Sequence, residues 1–310
     1  MGLTEKARHA RLMAQRVALR RQMHDEALQT QVGGLHARWV AQLAAHEIER
    51  AEFKVFSQFG EDGIVQFLVQ RVPIENRVFV ELGVEDYTES NTRFLLIHDA
   101  WRGLIVDGSE AHRRFVQASG LAWRTTVDAV TAFVDRDNVD EIISAAGVEG
   151  DIGLLSIDID GNDLWVLQSI ESVSPRILVV EYNSLFGHDL AVSVPYDPTF
   201  RRAEQHYSYL YWGASLKALV TVARSKGYAL VAGNRAGNNA FFVRRDVLSE
   251  IPERSATDCW RPAQFRESRS PGGELTYLDN DREKLRLLRD LPLVELDSGV
   301  QALVSDLYSV

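Results

Sequence analysis

Between about residue 51 and residue 250 the chain alternates short β-branched runs with stretches of helical spacing, and its last two runs break that alternation. The runs fall at Arg77–Leu82, Gly103–Gly108, Trp123–Val127, Ile152–Asp160, Arg176–Asn183, Tyr228–Ala232 and Asn239–Arg245. Strand and helix in turn require a mostly parallel sheet covered by helices, because a parallel connection needs a crossover. The final two runs are joined by "GNRAGN", too short to hold a crossover helix, so they form an antiparallel pair.

The flanks read differently. Residues 1–50 form a helical arm, first with Leu12, Val17, Met23 and Leu28 as its apolar positions. A break follows at Gly33-Gly34, then a second helix carrying Leu35, Trp39, Leu43 and Ala44. Residues 251–310 are a mixed extension with an amphipathic helix at Asp281–Arg289, expected to pack on the central domain. The net charge of −10 argues against a nucleic-acid surface as the main business of the chain. The arm alone carries eight Lys/Arg against five Asp/Glu, leaving −13 for the rest. Such an arm suits dimerisation or packing, and a homodimer or higher homo-oligomer is expected. No run approaches the roughly 18 apolar residues of a membrane span, and "MGLTEKARHARLMAQRV" lacks the apolar core of a signal peptide. With Cys259 the single cysteine, a reduced cytoplasmic setting is expected.

In open α/β sheets, ligands bind beyond the carboxyl ends of the strands. The first strand ends in Glu81, Gly83, Glu85 and Asp86; the glycine admits close backbone approach, and Glu81 suits an ammonium group. The second ends in Asp107-Gly108-Ser109, where a carboxylate is placed for ribose hydroxyls. The third ends in Asp128-Ala129, placed for an adenine amine. "ELGVEDYTE" keeps only the first glycine of an E/D-x-G-x-G-x-G pattern and adds carboxylates. That disfavours a diphosphate, which needs bare N–H groups at a helix N-terminus. It is compatible with S-adenosylmethionine (SAM), which carries a sulfonium and an ammonium. The parallel run closed by an antiparallel pair is likewise the habit of the Rossmann-like class I methyltransferase sheet.

The succession "FSQFGEDGIVQFLV", "FVELGVEDYTESNTRFLL", "WRGLIVDGSE" and "LLSIDIDGNDLWVL" resembles the FkbM-like SAM-dependent methyltransferases, over roughly residues 55–245. Those enzymes O-methylate sugars and other hydroxyl-bearing metabolites. The resemblance implies that Gln58, Gly60 and Glu61 close over the cofactor and that Asn91 lies near its methionine moiety.

At the fourth and fifth strands, alternation puts Asp158 with Asp160 and Glu181 with Asn183 at one sheet edge. Four oxygen-bearing side chains there suit a hard cation, Mg²⁺ above all, bound to the acceptor oxygen. Asp158, Glu181 and Asn183 are the expected ligands, with Asp160 a fourth ligand or the base. Asn162 and Asp163 are better read as caps of the next helix. His206, flanked by Tyr207, Tyr209, Tyr211 and Trp212, is a candidate general base ahead of His188, and His98 is structural. The expected activity is metal-assisted methylation of a sugar or glycan hydroxyl. A glycosyltransferase using Asp158-x-Asp160 as its metal motif, or a non-catalytic scaffold of the same fold, are the rivals.

Overall fold

The computed structural model describes residues 3–309. Five strands, β1 (Val78–Leu82), β2 (Arg102–Asp107), β3 (Val127–Thr131), β4 (Gly150–Ile157) and β5 (Val173–Glu181), pair in parallel. The two-residue β6 (Val192–Ser193) lies outside their sheet, which β7 (Tyr228–Gly233) and β8 (Asn239–Arg244) complete. The order is β3-β2-β1-β4-β5-β8-β7, with β8 antiparallel to both neighbours. Counting only this sheet's strands, the order is that of the class I methyltransferase fold, as the closing hairpin leads one to expect. A second sheet, β10-β9-β6, is built from β9 (Pro292–Glu295) and β10 (Gln301–Leu303).

The helices are α1 (Leu3–Val40), α2 (Glu61–Val69), α3 (Arg93–His98), α4 (Ala111–Ser119), α5 (Leu121–Arg124), α6 (Val139–Ala145), α7 (Asp163–Ser169), α8 (Arg202–Gln205) and α9 (Leu216–Ser225). They cover both faces of the main sheet, which explains why its strands are apolar on both sides. Val80, Leu82, Leu104 and Val106 pack with Leu164 and Leu167 of α7 and Leu219 of α9. Phe79, Ile105 and Leu154 point the other way, onto Ile64, Phe67 and Leu68 of α2 and Leu95 of α3. In the extension, Leu285, Leu288, Leu293 and Val304 join Phe186, Val192, Val194, Phe200 and Trp212 in a separate apolar cluster. The carboxyl-end segment after β5 is therefore clamped from behind by the C-terminal residues. No helix among the described residues is long and apolar enough to cross a membrane.

Two expectations fail in instructive ways. α1 runs unbroken through Gly33-Gly34. These glycines permit contact rather than a break: a Cβ on Gly33 would fall 2.5 Å from Val55 and 2.9 Å from Phe94, and one on Gly34 2.9 Å from His98. The buried stripe is accordingly Gly33, Ala37 and Val40, while Leu35 and Trp39 are exposed, as are Val17 and Leu28. The side chains of Leu12 and Met23 lie outside the described residues. The third strand begins at Val127 rather than ending there, because Leu121–Arg124 form α5 and leave Trp123 80% exposed.

The stretch before α2 is held by one carboxylate. Oδ2 of buried Asp62 accepts the N–H groups of Val55, Phe56 and Ser57 and the Ser57 hydroxyl, all at 2.7–2.8 Å. Asp62→Ala strands these donors and should cost about 3 kcal/mol or more of stability, since each unsatisfied buried group costs ~1–3 kcal/mol. Thermal unfolding should register this as a fall of several degrees in Tm.

Candidate active site

The carboxyl ends of β1, β2, β4 and β5 open into one cavity of about 970 Å³. Its floor is built by backbone constraints. Leu82 of β1 lies in register with Ile157 of β4, and the Asp158 N–H donates to the Leu82 carbonyl at 2.9 Å. Gly83 follows with φ +80°, and a Cβ there would lie 1.6 Å from the Asp158 carbonyl oxygen. No other residue type fits. The loop then folds over β2: Val84 and Glu85 donate their N–H groups to Asp107 Oδ2 at 3.1 and 2.8 Å, and Ser109 donates to Oδ1 at 2.7 Å.

Glu81 is buried, accepts the Asn91 N–H at 2.7 Å, and takes the Ser90 and Thr92 hydroxyls on its other oxygen. Burial still pushes its carboxyl above the usual range. Asn91 donates to Ser156 at 3.1 Å, tying this wall to β4. Gln58, Glu81, Gly83, Asn91, Asp107, Gly108 and Ser109 all line the cavity, as the sequence leads one to expect.

Other expected cofactor residues sit elsewhere. Asp128 and Ala129 lie inside β3, Asp128 exposed, and the cavity is lined instead by Ala132 and Phe133 beyond the true strand end. Gly60 and Glu61 lie outside the lining. Glu61 is a buried anchor: its Oε2 accepts the N–H groups of Phe59 and Gly60, and its Oε1 accepts Asn234 Nδ2 at 2.6 Å and Asn239 Nδ2 at 3.3 Å. It fastens the lead-in segment to the β7–β8 hairpin.

On the chemistry side, β4 ends at Ile157, so Asp158 lies just past the strand. Asp160 adopts φ +57° and turns outward, which ends the alternation that would have put it beside Asp158. It pairs with Arg202 at 2.9 Å, and Arg202 also reaches Glu267 at 3.2 Å and the Tyr209 carbonyl at 2.9 Å. Asn162 takes the N-cap position of α7 without a side-chain cap, donating instead to the Asp197 carbonyl. Asp163 ties the preceding turn, accepting the Ile159 N–H at 2.8 Å and the Gly161 N–H at 2.9 Å, and burial pushes its carboxyl up to about 6.

Asp158 and Glu181 face each other directly, and both carboxyls stand well above the usual range. Burial is the first cause in each; the charges of Asp160 and Asp163 follow for Asp158, and that of Asp158 follows for Glu181. Two adjacent carboxylates in a dry site cannot both ionise at ordinary cost.

The expected metal set does not assemble. Asn183 is buried beyond β5 and spends its amide on structure: Nδ2 donates to the carbonyls of Leu210 and Trp212 at 3.0 and 2.9 Å, and Oδ1 accepts the Leu185 N–H. Asp160 is committed to Arg202. Of four expected donors only Asp158 and Glu181 remain, with a guanidinium close by, and no group of three carboxylate, His or Cys side chains suited to a metal occurs among the described residues. A Mg²⁺ held by these two carboxylates would have to take the rest of its octahedral shell from water and ligand.

His206 lies outside the lining, bonded through Nδ1 to the Ser208 hydroxyl at 2.7 Å, and burial lowers its pKa. His188 packs on Trp260 near the extension, and His98 stacks on Phe94. The long connection after β5 does reach the cavity, but through Phe200, Arg201, Arg202, Glu204 and Tyr209. "TFRRAEQ" signals these only as a charged run; nothing in the sequence near Glu267 marks it.

No protein-family model and no curated protein matches the sequence. Among solved structures, the chain is similar to an O-methyltransferase family protein from Burkholderia thailandensis, at 14% identity over 71% of this chain and 58% of that one, with a TM-score of 0.34. It is also similar to a SAM-dependent methyltransferase from Clostridium acetobutylicum, at 8% identity over 59% and 89%, TM-score 0.38. A third is the O-methyltransferase TomG from Streptomyces achromogenes, at 13% identity over 67% and 87%, TM-score 0.34. The chain spans 58% of the length of the first of these.

The contact at Gly83 is open to direct test. Gly83→Ala combines a left-handed backbone with an impossible Cβ position and should cost about 3 kcal/mol or more. Gly147 also has positive φ (+73°), but a Cβ there would meet nothing within 4 Å. Gly147→Ala should therefore cost only ~1–2 kcal/mol. Chemical denaturation of the two variants measures the difference.

Proposed function

We propose that this chain is a SAM-dependent O-methyltransferase acting on a hydroxyl of a sugar, whether free, in a glycan or glycolipid, or on a glycosylated natural product. The observation that carries the reading is the Asp158–Glu181 acid pair standing beside the Gly83 loop at the carboxyl edge of a class I methyltransferase sheet. The wall residues fit the cofactor by chemistry. Gly83 holds its loop against the Asp158 backbone at the cavity floor, Glu81 offers a buried carboxylate to an ammonium, and Asp107 offers a carboxylate at the end of β2 for ribose hydroxyls.

SAM, when bound, supplies a methyl group activated by its sulfonium. The chain supplies a base, alignment and exclusion of water. Asp158 would take the hydroxyl proton of the acceptor and end as a protonated carboxyl. Its raised pKa suits the role, because a base works best when its affinity for protons approaches that of its surroundings. Burial and the charges of Asp160 and Asp163 keep that affinity high, while Glu181, more deeply buried, tempers it through a hydrogen bond. Arg202 anchors Asp160 and the roof segment and leaves Asp158 without a strong ion pair. The carboxyl pair is placed to carry the proton transfer.

Three measurements test the reading. Asp158→Asn should keep SAM binding by calorimetry and lose roughly 10²–10⁴ in kcat, the range of general-base catalysis. Because the base must be ionised and burial raises its pKa, kcat/KM should rise with pH through an inflection well above the ordinary carboxylate range near 4. A rate that is flat across that interval removes Asp158 as the base. Chelator should leave turnover unchanged; activity lost in chelator and restored by Mg²⁺ would show that a metal enters the reaction.

A further inference from the structure

Two acceptor atoms in the deep wall of the cavity have no donor, although Glu181 Oε1 accepts Asn238 Nδ2 at 3.5 Å. Glu181 and Asn239 are direct register partners across the β5–β8 ladder, so their side chains emerge together on one face of the sheet. Both line the cavity and both are buried, at 7% and 3% exposure. Glu181 Oε2 and Asn239 Oδ1 are each without any hydrogen-bond partner. The orientation of the amide is not free: Asn239 Nδ2 is held by Glu61 Oε1 at 3.3 Å, which turns the carbonyl oxygen away from that anchor. Asp158 completes the group with a third acceptor. Arg202 cannot answer them, because its three nitrogens are spent on Tyr209, Asp160 and Glu267.

Buried polar atoms of a folded protein are almost always partnered, and an orphaned one costs about 1–3 kcal/mol. A cluster of orphaned acceptors, one of them a carboxylate, therefore describes a ligand group that only donates and carries positive charge. A hydrated Mg²⁺, commonly held by one or two carboxylates, is the competing occupant. A primary ammonium, with three N–H donors and one charge, matches three acceptors. The wider cavity points the same way, with ten carboxylates and two arginines in its lining.

We infer that Glu181, Asn239 and Asp158 form an ammonium subsite, and that the acceptor is an amino sugar whose amine seats there beside the hydroxyl to be methylated. This rests on the methyltransferase reading for which molecule enters the cavity, and deepens it by naming the substrate class. Occupied by an ammonium, Glu181 is neutralised by the substrate, and Asp158 is left to receive the hydroxyl proton. Glu61 acts as a positioning residue, since it fixes the Asn239 amide from behind.

The test is a binding comparison that needs no turnover. Protein saturated with S-adenosylhomocysteine is titrated calorimetrically with glucosamine and, separately, with glucose. Charge-assisted hydrogen bonds are worth about 1.5–3 kcal/mol, so glucosamine should bind about tenfold tighter or more. Raising salt should weaken glucosamine and leave glucose unchanged. Glu181→Gln and, independently, Asn239→Ala should each erase the preference while binding S-adenosylhomocysteine as the wild type does. Equal affinity for the two sugars, no glucosamine binding, or saturable Mg²⁺ binding that excludes glucosamine would each overturn the subsite. Failure of S-adenosylhomocysteine itself to bind would instead remove the methyltransferase reading.

Discussion

Everything at the site depends on the parallel pairing of β1 with β4. That register places the Leu82 carbonyl under the Asp158 N–H, and stacks the Asp158 carbonyl against Gly83 where a side chain would stand. One hydrogen bond and one van der Waals contact thus join the Gly83 loop to the loop that carries Asp158. Asp107 reinforces the first loop through two N–H groups and Asp163 the second through two more. The two carboxylates do the same job on opposite sides of the contact: each replaces water as the acceptor for a turn that has left the sheet ladder.

The charge pattern follows from this geometry. Acidic groups used as turn acceptors are satisfied by N–H donors and contribute shape. Asp158 and Glu181, which accept no turn N–H, face each other at the strand ends and stand well above the usual range. A site of this kind is held ready by its own strain: the pair is relieved by a proton, or by a cation that arrives with the ligand.

Much of this is legible in the sequence, and the failures share a cause. β-branched runs and a short terminal hairpin are enough to order the sheet, and with it the cavity edge and Glu81, Gly83, Asp107, Asp158 and Glu181. What local pattern cannot supply is where a strand stops. The run ending in Asp160 stops at Ile157, and the run ending in Asn183 stops at Glu181, so alternation extrapolated by two residues misplaces both Asp160 and Asn183. The third strand errs the other way: the run expected to end at Val127 begins there and ends at Thr131, so Ala132 rather than Asp128 follows it. Gly33-Gly34 mislead in the opposite sense, since a glycine pair that permits close helix packing reads like one that ends a helix. Arg202 and Glu267 meet across 65 residues in chain segments without periodicity, and only tertiary structure brings them together.

The clamping of the β5 connection by the last residues of the chain divides the cavity into halves of different origin. One half hangs on β1 and β2 and is fixed by backbone contacts that tolerate almost no substitution. The other rests on an apolar cluster shared between residues 186–212 and 285–304, where side chains of similar volume can be exchanged. The first half is therefore tightly constrained in sequence, and the second is permissive.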